Sequence, residues 1–546
     1  MRKFLIGVVI YFCADLVWGA QELSTFVYPS EDELEEAFHN GEIDFIQLVT
    51  LQEIIRFGID SSKLYLLDEI PNLSYFADGR LFPAIKTDSE QESPFLAKEI
   101  GNKLVTGRVS HSYSQRLETD GDSRYRTSGQ VSLGENLNMA FRLHKEYSGG
   151  ERFVYRTLEY RQKKSVIRQV TVGNYSTRLG LGSIVGYRGK ILDYADEINS
   201  ESMAFPDYGG YNGLNLRTKN SSFESELLLS INRDQDHSVR TIAGEFGLSG
   251  RRFVPAFIAS MTNLKERATD YSIGDFKYGV NIESKYTSGY NRVELSAQAG
   301  EEDSFGAALT EGKHLFNQAE INYALWYYDD KYLDITGGSK AAAVRETVNL
   351  PEVNFSYSDK RRGQTGGLIK TIVELTESVD LANSLIYANK NEDDYNFEFL
   401  SAIEKQFSAN WQLRLDHVSR SRHRLQSATE TEEISRRSRV EIRYQNPTLY
   451  VRTYAAYQSK SGEGDYLSLF ANCLYKSRDF GDMSLWLNIG KYQIDDGTLV
   501  YWYGFLENRQ KLFDNVNTLA KISHSYREGH ADEHVSTFSI GLEITL

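Results

Sequence analysis

The chain has 546 residues, a net charge of −15, and only 8 prolines, where an average chain carries roughly 5% of that residue. Aromatic residues make up 12%, led by 35 tyrosines, and there are 42 glycines and 2 cysteines. This balance excludes a helical membrane protein, a collagen, a disulfide scaffold and a disordered acidic chain, and it favours long strands joined by polar turns.

The first 20 residues have the pattern of a secretory signal peptide. Arg2 and Lys3 precede an apolar run at 4–12, and small residues follow at Gly19 and Ala20. A retained N-terminal anchor is the alternative, which the shortness of the run disfavours, because spanning needs about 20 apolar residues. Cleavage would leave Cys473 as the only cysteine, so we expect no intramolecular disulfide and a Cys473 packed as a small apolar strand residue.

Residues 21–100 form an acidic head, with 17 acidic and 5 basic residues. Helical spacing of apolar residues over 31–57 and a short helical stretch at 63–69 predict a small α-helical segment. The excess of carboxylates disfavours nucleic-acid binding by the head, since neutralising phosphates requires cations.

From about residue 101 to residue 546 the apolar pattern has a period of two. At the C-terminal end, Phe538, Ile540 and Leu542 alternate with Ser539 and Gly541. The alternating stretches run about 9–13 residues and carry Arg, Glu and Asp in the middle of their polar faces, as in tilted membrane strands with a wet interior. We predict an all-β transmembrane barrel of roughly 20–26 antiparallel strands. A water-soluble sandwich or solenoid remains the alternative.

Charged residues recur on the polar faces of neighbouring predicted strands in the last third of the chain. They are predicted to face the lumen and are Arg414, Arg437, Arg439, Glu441, Arg443 and Arg452. Such a patch would draw anions into a pore. The alternative is a mutually paired network, completed by Asp416, that fills the lumen and carries nothing.

The sequence offers little catalytic chemistry. His530, Glu533 and His534 match the H-x-x-E-H zinc-protease pattern, but that chemistry requires a helix and the match falls in a predicted hairpin loop. Acidic loop clusters such as the one at 392–394 suit Ca²⁺ or lipopolysaccharide bridging, or simply water. We therefore predict no enzyme, no cofactor and no metal site.

A glycine-rich pattern follows one of the early strands. Gly173, Asn174 and Tyr175 lead into a stretch containing Gly180 and Gly182, and an aromatic, glycine-rich stretch follows at 208–216. This resembles the outer-membrane β-barrel proteins of Gram-negative bacteria that carry a helix-hairpin-helix domain, in which a G-(D/N)-Y segment precedes an F-G-Q-G-L stretch. Leu179 and Leu181 stand where that family has Phe and Gln.

The same resemblance extends to the head. The hairpin that the family writes I-P-G-I would correspond to Ile70, Pro71, Asn72 and Leu73, with Asn72 where the family has Gly. The resemblance implies a barrel with a periplasmic helical segment, and DNA binding if the hairpin holds phosphates through its backbone amides.

Together these patterns predict an outer-membrane barrel that acts as a pore or as the scaffold of a transport assembly. We expect its partners to be outer-membrane lipid and lipopolysaccharide, with periplasmic proteins as further candidates. Both chain ends should lie in the periplasm, so that loops such as 118–124 and 526–533 are extracellular. The rival functions are a DNA-uptake or DNA-binding envelope component, acting through the hairpin, and an outer-membrane hydrolase.

Overall fold

The computed structural model describes the barrel region of the chain, residues 105–545, with interruptions at 118–122, 135, 146–150, 163–164, 176, 187–209, 234–236, 249–251, 267–271, 300–303, 333–362, 392–393, 427–428, 462–463, 478–479, 495–496, 514 and 529–533. The signal peptide at 1–20, the helical head at 21–100 and the hairpin of Ile70, Pro71, Asn72 and Leu73 lie outside the described residues.

The described residues form 24 β-strands and contain no helix. The strands are β1 Val105–Arg116, β2 Ser123–Leu133, β3 Leu137–Lys145, β4 Glu151–Arg161, β5 Ile167–Tyr175, β6 Tyr211–Lys219, β7 Phe223–Arg233, β8 His237–Leu248, β9 Phe253–Glu266, β10 Ser272–Tyr286, β11 Gly289–Ala299, β12 Ser304–Phe316, β13 Ala319–Tyr328, β14 Thr365–Thr376, β15 Val379–Asn391, β16 Asp394–Gln406, β17 Trp411–Gln426, β18 Thr429–Gln445, β19 Leu449–Lys460, β20 Gly464–Ser477, β21 Gly481–Ile494, β22 Gly497–Phe513, β23 Val516–Arg527 and β24 His534–Thr545.

The sheet is a closed barrel. Each strand pairs antiparallel with the strands before and after it in the chain, and β24 pairs with β1 in a register that places Val109 opposite Ile544. Closure satisfies the backbone of the two strands that would otherwise be edges. The prediction of a barrel with 20–26 antiparallel strands is confirmed.

Several strands are longer than the alternating stretches of 9–13 residues in the sequence, and β18 and β22 reach 17. In β18 the outward positions Val440 and Ile442 are apolar, whereas the outward Arg436 and Ser438 further along the same face are polar. This face indicates a strand that leaves the hydrocarbon and continues into water.

The two faces of the wall differ as the alternation predicts. On β7, Leu227, Leu229 and Ile231 are exposed on the outer face, while Leu228 and Ser230 between them are buried inside. On β24 the outer face carries Phe538, Ile540 and Leu542, all exposed. An outer surface this rich in exposed apolar side chains suits hydrocarbon rather than water.

The two ends of the barrel differ in the length of their connections. Every connection that follows an even-numbered strand is short; the shortest include 287–288, with two residues, and the longest is 162–166, with five. Val105 and Thr545 lie at the same end of the barrel. The other end carries the two long connections, 176–210 and 329–364, as well as the shorter ones at 117–122 and 528–533.

Aromatic side chains mark both ends on the outer face. At the short-turn end, the Trp411 and Tyr444 rings lie 4.7 Å apart, and at the other end Trp502 lies 4.6 Å from the ring of His524. Such girdles are typical of the two membrane–water interfaces of a barrel. Among the described residues there is no helix long and apolar enough to cross a bilayer.

Candidate functional site in the barrel lumen

A stretch of chain directly after β5 lies inside the barrel. We call residues 177–186 the inner segment. It forms a short turn closed by a bridge between Leu179 and Val185, with Gly180 and Gly182 at positive φ values of 55° and 89°. Four of its apolar side chains, those of Leu179, Leu181, Ile184 and Val185, are completely buried.

Carboxylates from the lumen wall hold the backbone of the inner segment. Glu294 on β11 accepts hydrogen bonds from the backbone N–H of Leu181, from the backbone N–H of Ser183 at 3.0 Å, and from the Ser183 hydroxyl. Glu245 on β8 accepts the backbone N–H of Gly180 at 3.0 Å. These hydrogen bonds tie the segment to two separate strands of the wall.

A third carboxylate holds the start of the segment. Glu226 on β7 accepts a hydrogen bond from the Thr177 hydroxyl at 2.5 Å and pairs with Arg217 on β6, whose Nε lies 2.9 Å away. Arg217 also donates to Thr177 at 3.1 Å. Glu226 is therefore charge-balanced by the wall itself.

The side chains of the inner segment divide between two apolar clusters. Leu179, Ile184 and Val185 pack with a cluster on the β5–β9 side that includes Tyr175 and Ile258. Leu181 packs with a cluster on the β12–β15 side that includes Trp326, Tyr328 and Tyr332. The segment thus covers a strip of the lumen wall that would otherwise present apolar side chains to water.

Tyr332, four residues after β13, ties the second long connection to the first. Its hydroxyl donates to the carbonyl oxygen of Ser183 in the inner segment. The ammonium group of Lys277 lies 4.6 Å from the centre of the Tyr332 ring and pairs with Asp275 at 2.7 Å. Both long connections therefore contribute to the contents of the lumen.

The geometry explains the glycines of the family-like pattern. A Cβ at Gly180 would overlap the Glu294 carboxylate and lie 2.5 Å from Cδ1 of Ile258, in a backbone conformation that favours glycine. Upstream, Gly173 has a φ of 110° and Asn174 accepts the backbone N–H of Arg156 at 2.9 Å. Tyr175 donates to the backbone oxygens of Leu214 and Leu229.

Further round the barrel, the predicted lumen residues form one cluster. We call it the arginine wall; it consists of Arg414, Arg437, Arg439, Arg443 and Arg452 around the carboxylates Asp416 and Glu441. Asp416 and Glu441 are buried, whereas the outward Leu415 and Val440 beside them are exposed. The structure brings all six of the predicted residues together on β17, β18 and β19.

The two carboxylates bind the five arginines unequally. Arg439 lies 2.7 Å from Asp416 and 3.3 Å from Glu441, and Arg452 lies 3.0 Å from Glu441. Arg443 also pairs with Glu441. Arg437 is the most distant member, with its Nη2 atom 3.6 Å from Asp416. Five guanidinium groups contact these two carboxylates, so the arginine wall holds more arginines than acidic groups.

Aromatic rings continue the arginine wall across the next strands. We call Tyr454, Phe470, Trp486 and Phe505 the ring arc; they lie on the inner faces of β19, β20, β21 and β22. The Tyr454 and Phe470 rings stack 4.6 Å apart, the Phe470 and Trp486 rings meet edge to face at 4.5 Å, and the Trp486 and Phe505 rings stack at 6.0 Å.

Sequence reasoning missed both the inner segment and the ring arc. The sequence did contain an indication of the ring arc, because each of the four aromatic residues stands at an alternate position of its strand that is otherwise polar and faces inward. The signal for the inner segment was the glycine pattern, which indicated a family resemblance but not a location inside the lumen.

Of the zinc-protease pattern, His530 and Glu533 lie outside the described residues, and His534 alone is placed. His534 begins β24 on the outer face, and its ring lies 5.5 Å from that of His524. Within the part of the chain that the structure describes, no group of three or more His, Cys, Asp or Glu side chains could hold a metal ion. Cys473 is half-buried in β20.

No protein-family model matches the chain, and a comparison with curated proteins finds no match. Among solved structures, the chain is similar to the siderophore receptor PirA from Pseudomonas aeruginosa, with 9% identity, a TM-score of 0.46, and coverage of 81% of this chain and 80% of that one. It is also similar to the ferric-catecholate import receptor Fiu from E. coli K12, with 8% identity, a TM-score of 0.42 and 81% of each chain covered.

A third similar structure is the P pilus usher PapC translocation pore, with 9% identity, a TM-score of 0.37, and coverage of 81% of this chain and 99% of that one. At 8–9% identity the likeness to these three structures concerns the large barrel architecture alone.

Proposed function

We propose that this protein is an outer-membrane pore that conducts anionic solutes through a lumen narrowed by the inner segment. The observation that carries the proposal is the arginine wall, in which five arginines gather around two carboxylates on the inner face of a closed 24-stranded barrel whose outer face is apolar. A cluster of one sign of charge in a low-dielectric tube raises the local concentration of counter-ions.

The size of the barrel supports a water-filled interior. Side chains can fill the interior of a barrel of about eight strands, whereas barrels of 16–18 strands leave an aqueous channel and larger ones hold a plug. With 24 strands, this lumen exceeds what its own wall side chains can fill. The inner segment packs on wall clusters that lie between β5 and β15, and the arginine wall belongs to a different stretch of the circumference.

The proposal includes the orientation and the surroundings of the barrel. The short-turn end and both chain ends face the periplasm, and the end with the two long connections faces outward, next to lipopolysaccharide. The acidic head at 21–100 meets periplasmic partner proteins, and the glycine pattern supports membership of the helix-hairpin-helix outer-membrane barrel family.

Planar-bilayer recording of the refolded protein under a salt gradient tests the pore. We expect open-channel conductance whose reversal potential is shifted from zero toward the equilibrium potential of the anion. Arg437→Gln removes the least tightly paired arginine and should reduce the anion-to-cation permeability ratio by roughly 2- to 10-fold. The matched control is Arg436→Gln, which removes the same charge from the exposed outer position next along β18 and should leave selectivity unchanged.

Two results would contradict the proposal in different ways. A protein that inserts but conducts no ions would be the scaffold of a transport assembly rather than a pore. Equal shifts from both arginine variants would mean that the lumen charge does not set the selectivity.

A further inference from the structure

We propose that the ring arc and the adjoining arginines form a binding site for an acidic oligosaccharide in the lumen. The inference rests on the proposed pore and names the class of solute that the pore would take. Four aromatic rings lie in a series with cationic groups beside both of its ends.

The rings form an unbroken series across four neighbouring strands. Neighbouring strands lie about 4.8 Å apart, and the three ring-to-ring distances of 4.6, 4.5 and 6.0 Å follow that spacing. Phe470 and Phe505 are buried. Tyr454, at the start of the series, and Trp486, between the two phenylalanines, are half-buried and keep part of their surface open to the lumen. The exposed rim of Tyr503, whose ring lies 6.2 Å from that of Phe505, extends the surface.

Cations lie against both ends of the series. At the arginine wall, the guanidinium carbons of Arg439 and Arg452 lie 5.3 and 5.9 Å from the centre of the Tyr454 ring. At the opposite end, the ammonium group of Lys521 on β23 lies 3.7 Å from the centre of the Phe505 ring and 3.9 Å from a carboxylate oxygen of Glu507 on β22. These cation–π contacts fix charged groups beside the aromatic surface.

The combination selects the chemistry of the ligand. Aromatic faces carry negative charge density and attract the weakly positive C–H groups on the flat side of a sugar ring. A series of several rings suits an extended chain of sugar units better than a single small ion, because Tyr454, Trp486 and Tyr503 each keep surface open and can contact different units. The arginines beside Tyr454 favour carboxylated or sulfated units over neutral ones, since guanidinium groups bind such oxyanions in a bidentate manner.

A single-stranded nucleic acid also combines planar rings with negative charge. An extended sugar polymer is favoured here because successive rings of the arc alternate between stacked and edge-to-face contacts. Flat intercalation of one base between each pair of rings would require the rings to separate.

Isothermal titration of the full chain in detergent, with defined tetrasaccharides, tests the site. We expect tetragalacturonate to bind at least about tenfold more tightly than neutral maltotetraose. Tyr454→Leu should weaken tetragalacturonate binding about tenfold, whereas Tyr457→Leu, which removes the same ring from the exposed outer face of the same strand, should leave it unchanged. Heat-modifiable gel migration reports whether each variant folds, and Trp486→Leu replaces Tyr454→Leu if the latter does not.

The outcomes separate this site from the pore. Conductance without tetragalacturonate binding, or equal losses from Tyr454→Leu and Tyr457→Leu, would overturn the oligosaccharide site and leave the pore standing. Tighter binding of oligothymidylate than of tetragalacturonate would also overturn it. Binding that depends on Tyr454 in a barrel that conducts nothing would support the site and overturn the pore.

Discussion

Two parts of the lumen wall use buried glutamates for opposite purposes. Glu294 on β11 and Glu441 on β18 are both completely buried on the inner face of the barrel. Glu294 accepts hydrogen bonds from backbone N–H groups and from a hydroxyl of the inner segment. Glu441 instead binds the guanidinium groups of Arg439, Arg443 and Arg452. One carboxylate attaches chain to the wall, and the other balances charge within the wall.

The difference divides the lumen into a covered region and a charged region. Near Glu294 and Glu245 the wall is lined by apolar clusters and covered by the inner segment. Around Asp416 and Glu441 the wall carries more arginines than acids. In the proposed pore, an anionic solute would therefore meet its strongest electrostatic attraction on the arginine wall rather than beside the inner segment.

The largest expected effect comes from removing a carboxylate of the arginine wall. Glu441→Gln should lower the free energy of unfolding by about 3–5 kcal/mol, because it leaves three buried or half-buried guanidinium groups without their shared partner. Urea titration of the protein refolded into lipid vesicles measures the loss. The same variant should raise the anion preference of the pore, opposite in sign to Arg437→Gln.

The two effects of Glu441→Gln provide a check on each other. A loss of stability without a change in selectivity would mean that the arginine wall is a structural network that ions do not meet. This result would favour the paired-network alternative over the anion pore.

The outer face of the barrel should contact hydrocarbon equally in the covered region and in the charged region of the wall. Ile242→Arg on β8 and Val440→Arg on β18 each place a charge at an exposed outer position, and each should cost about 2–4 kcal/mol if the position lies near mid-bilayer. The same urea titration in vesicles measures both. A neutral effect at one site only would mean that this stretch of the barrel does not face hydrocarbon.

The sequence was enough to predict the barrel, because strand periodicity is a local property. Alternation in β24 correctly separates the exposed Phe538, Ile540 and Leu542 from the inward Ser539 and Gly541. The same parity on β18 places Arg437, Arg439 and Arg443 on one face. Their grouping with Arg452 follows from the antiparallel register, in which Arg443 lies opposite Arg452.

The contents of the lumen could not be predicted in the same way. The bonds of Glu294 to Leu181 and Ser183 join residues more than one hundred positions apart, and no periodic pattern encodes such contacts. Pairing distances within the arginine wall also depend on side-chain geometry rather than on parity. The glycines of the inner segment were visible in the sequence, but their physical reason, contact with Glu294 and Ile258, required the closed barrel.

The smallest expected loss of stability is at the attachment of the inner segment. Glu294→Gln should lower the free energy of unfolding by only about 1–3 kcal/mol, because the amide oxygen can still accept a hydrogen bond and the segment can leave the wall without opening the barrel. Limited trypsin digestion measures the local release, since Arg178 lies within the segment. We expect cleavage after Arg178 in Glu294→Gln and none in Glu441→Gln, although the second variant is the less stable one. Cleavage that follows global stability instead, and so is faster in Glu441→Gln, would mean that Glu294 does not attach the segment independently of the rest of the barrel.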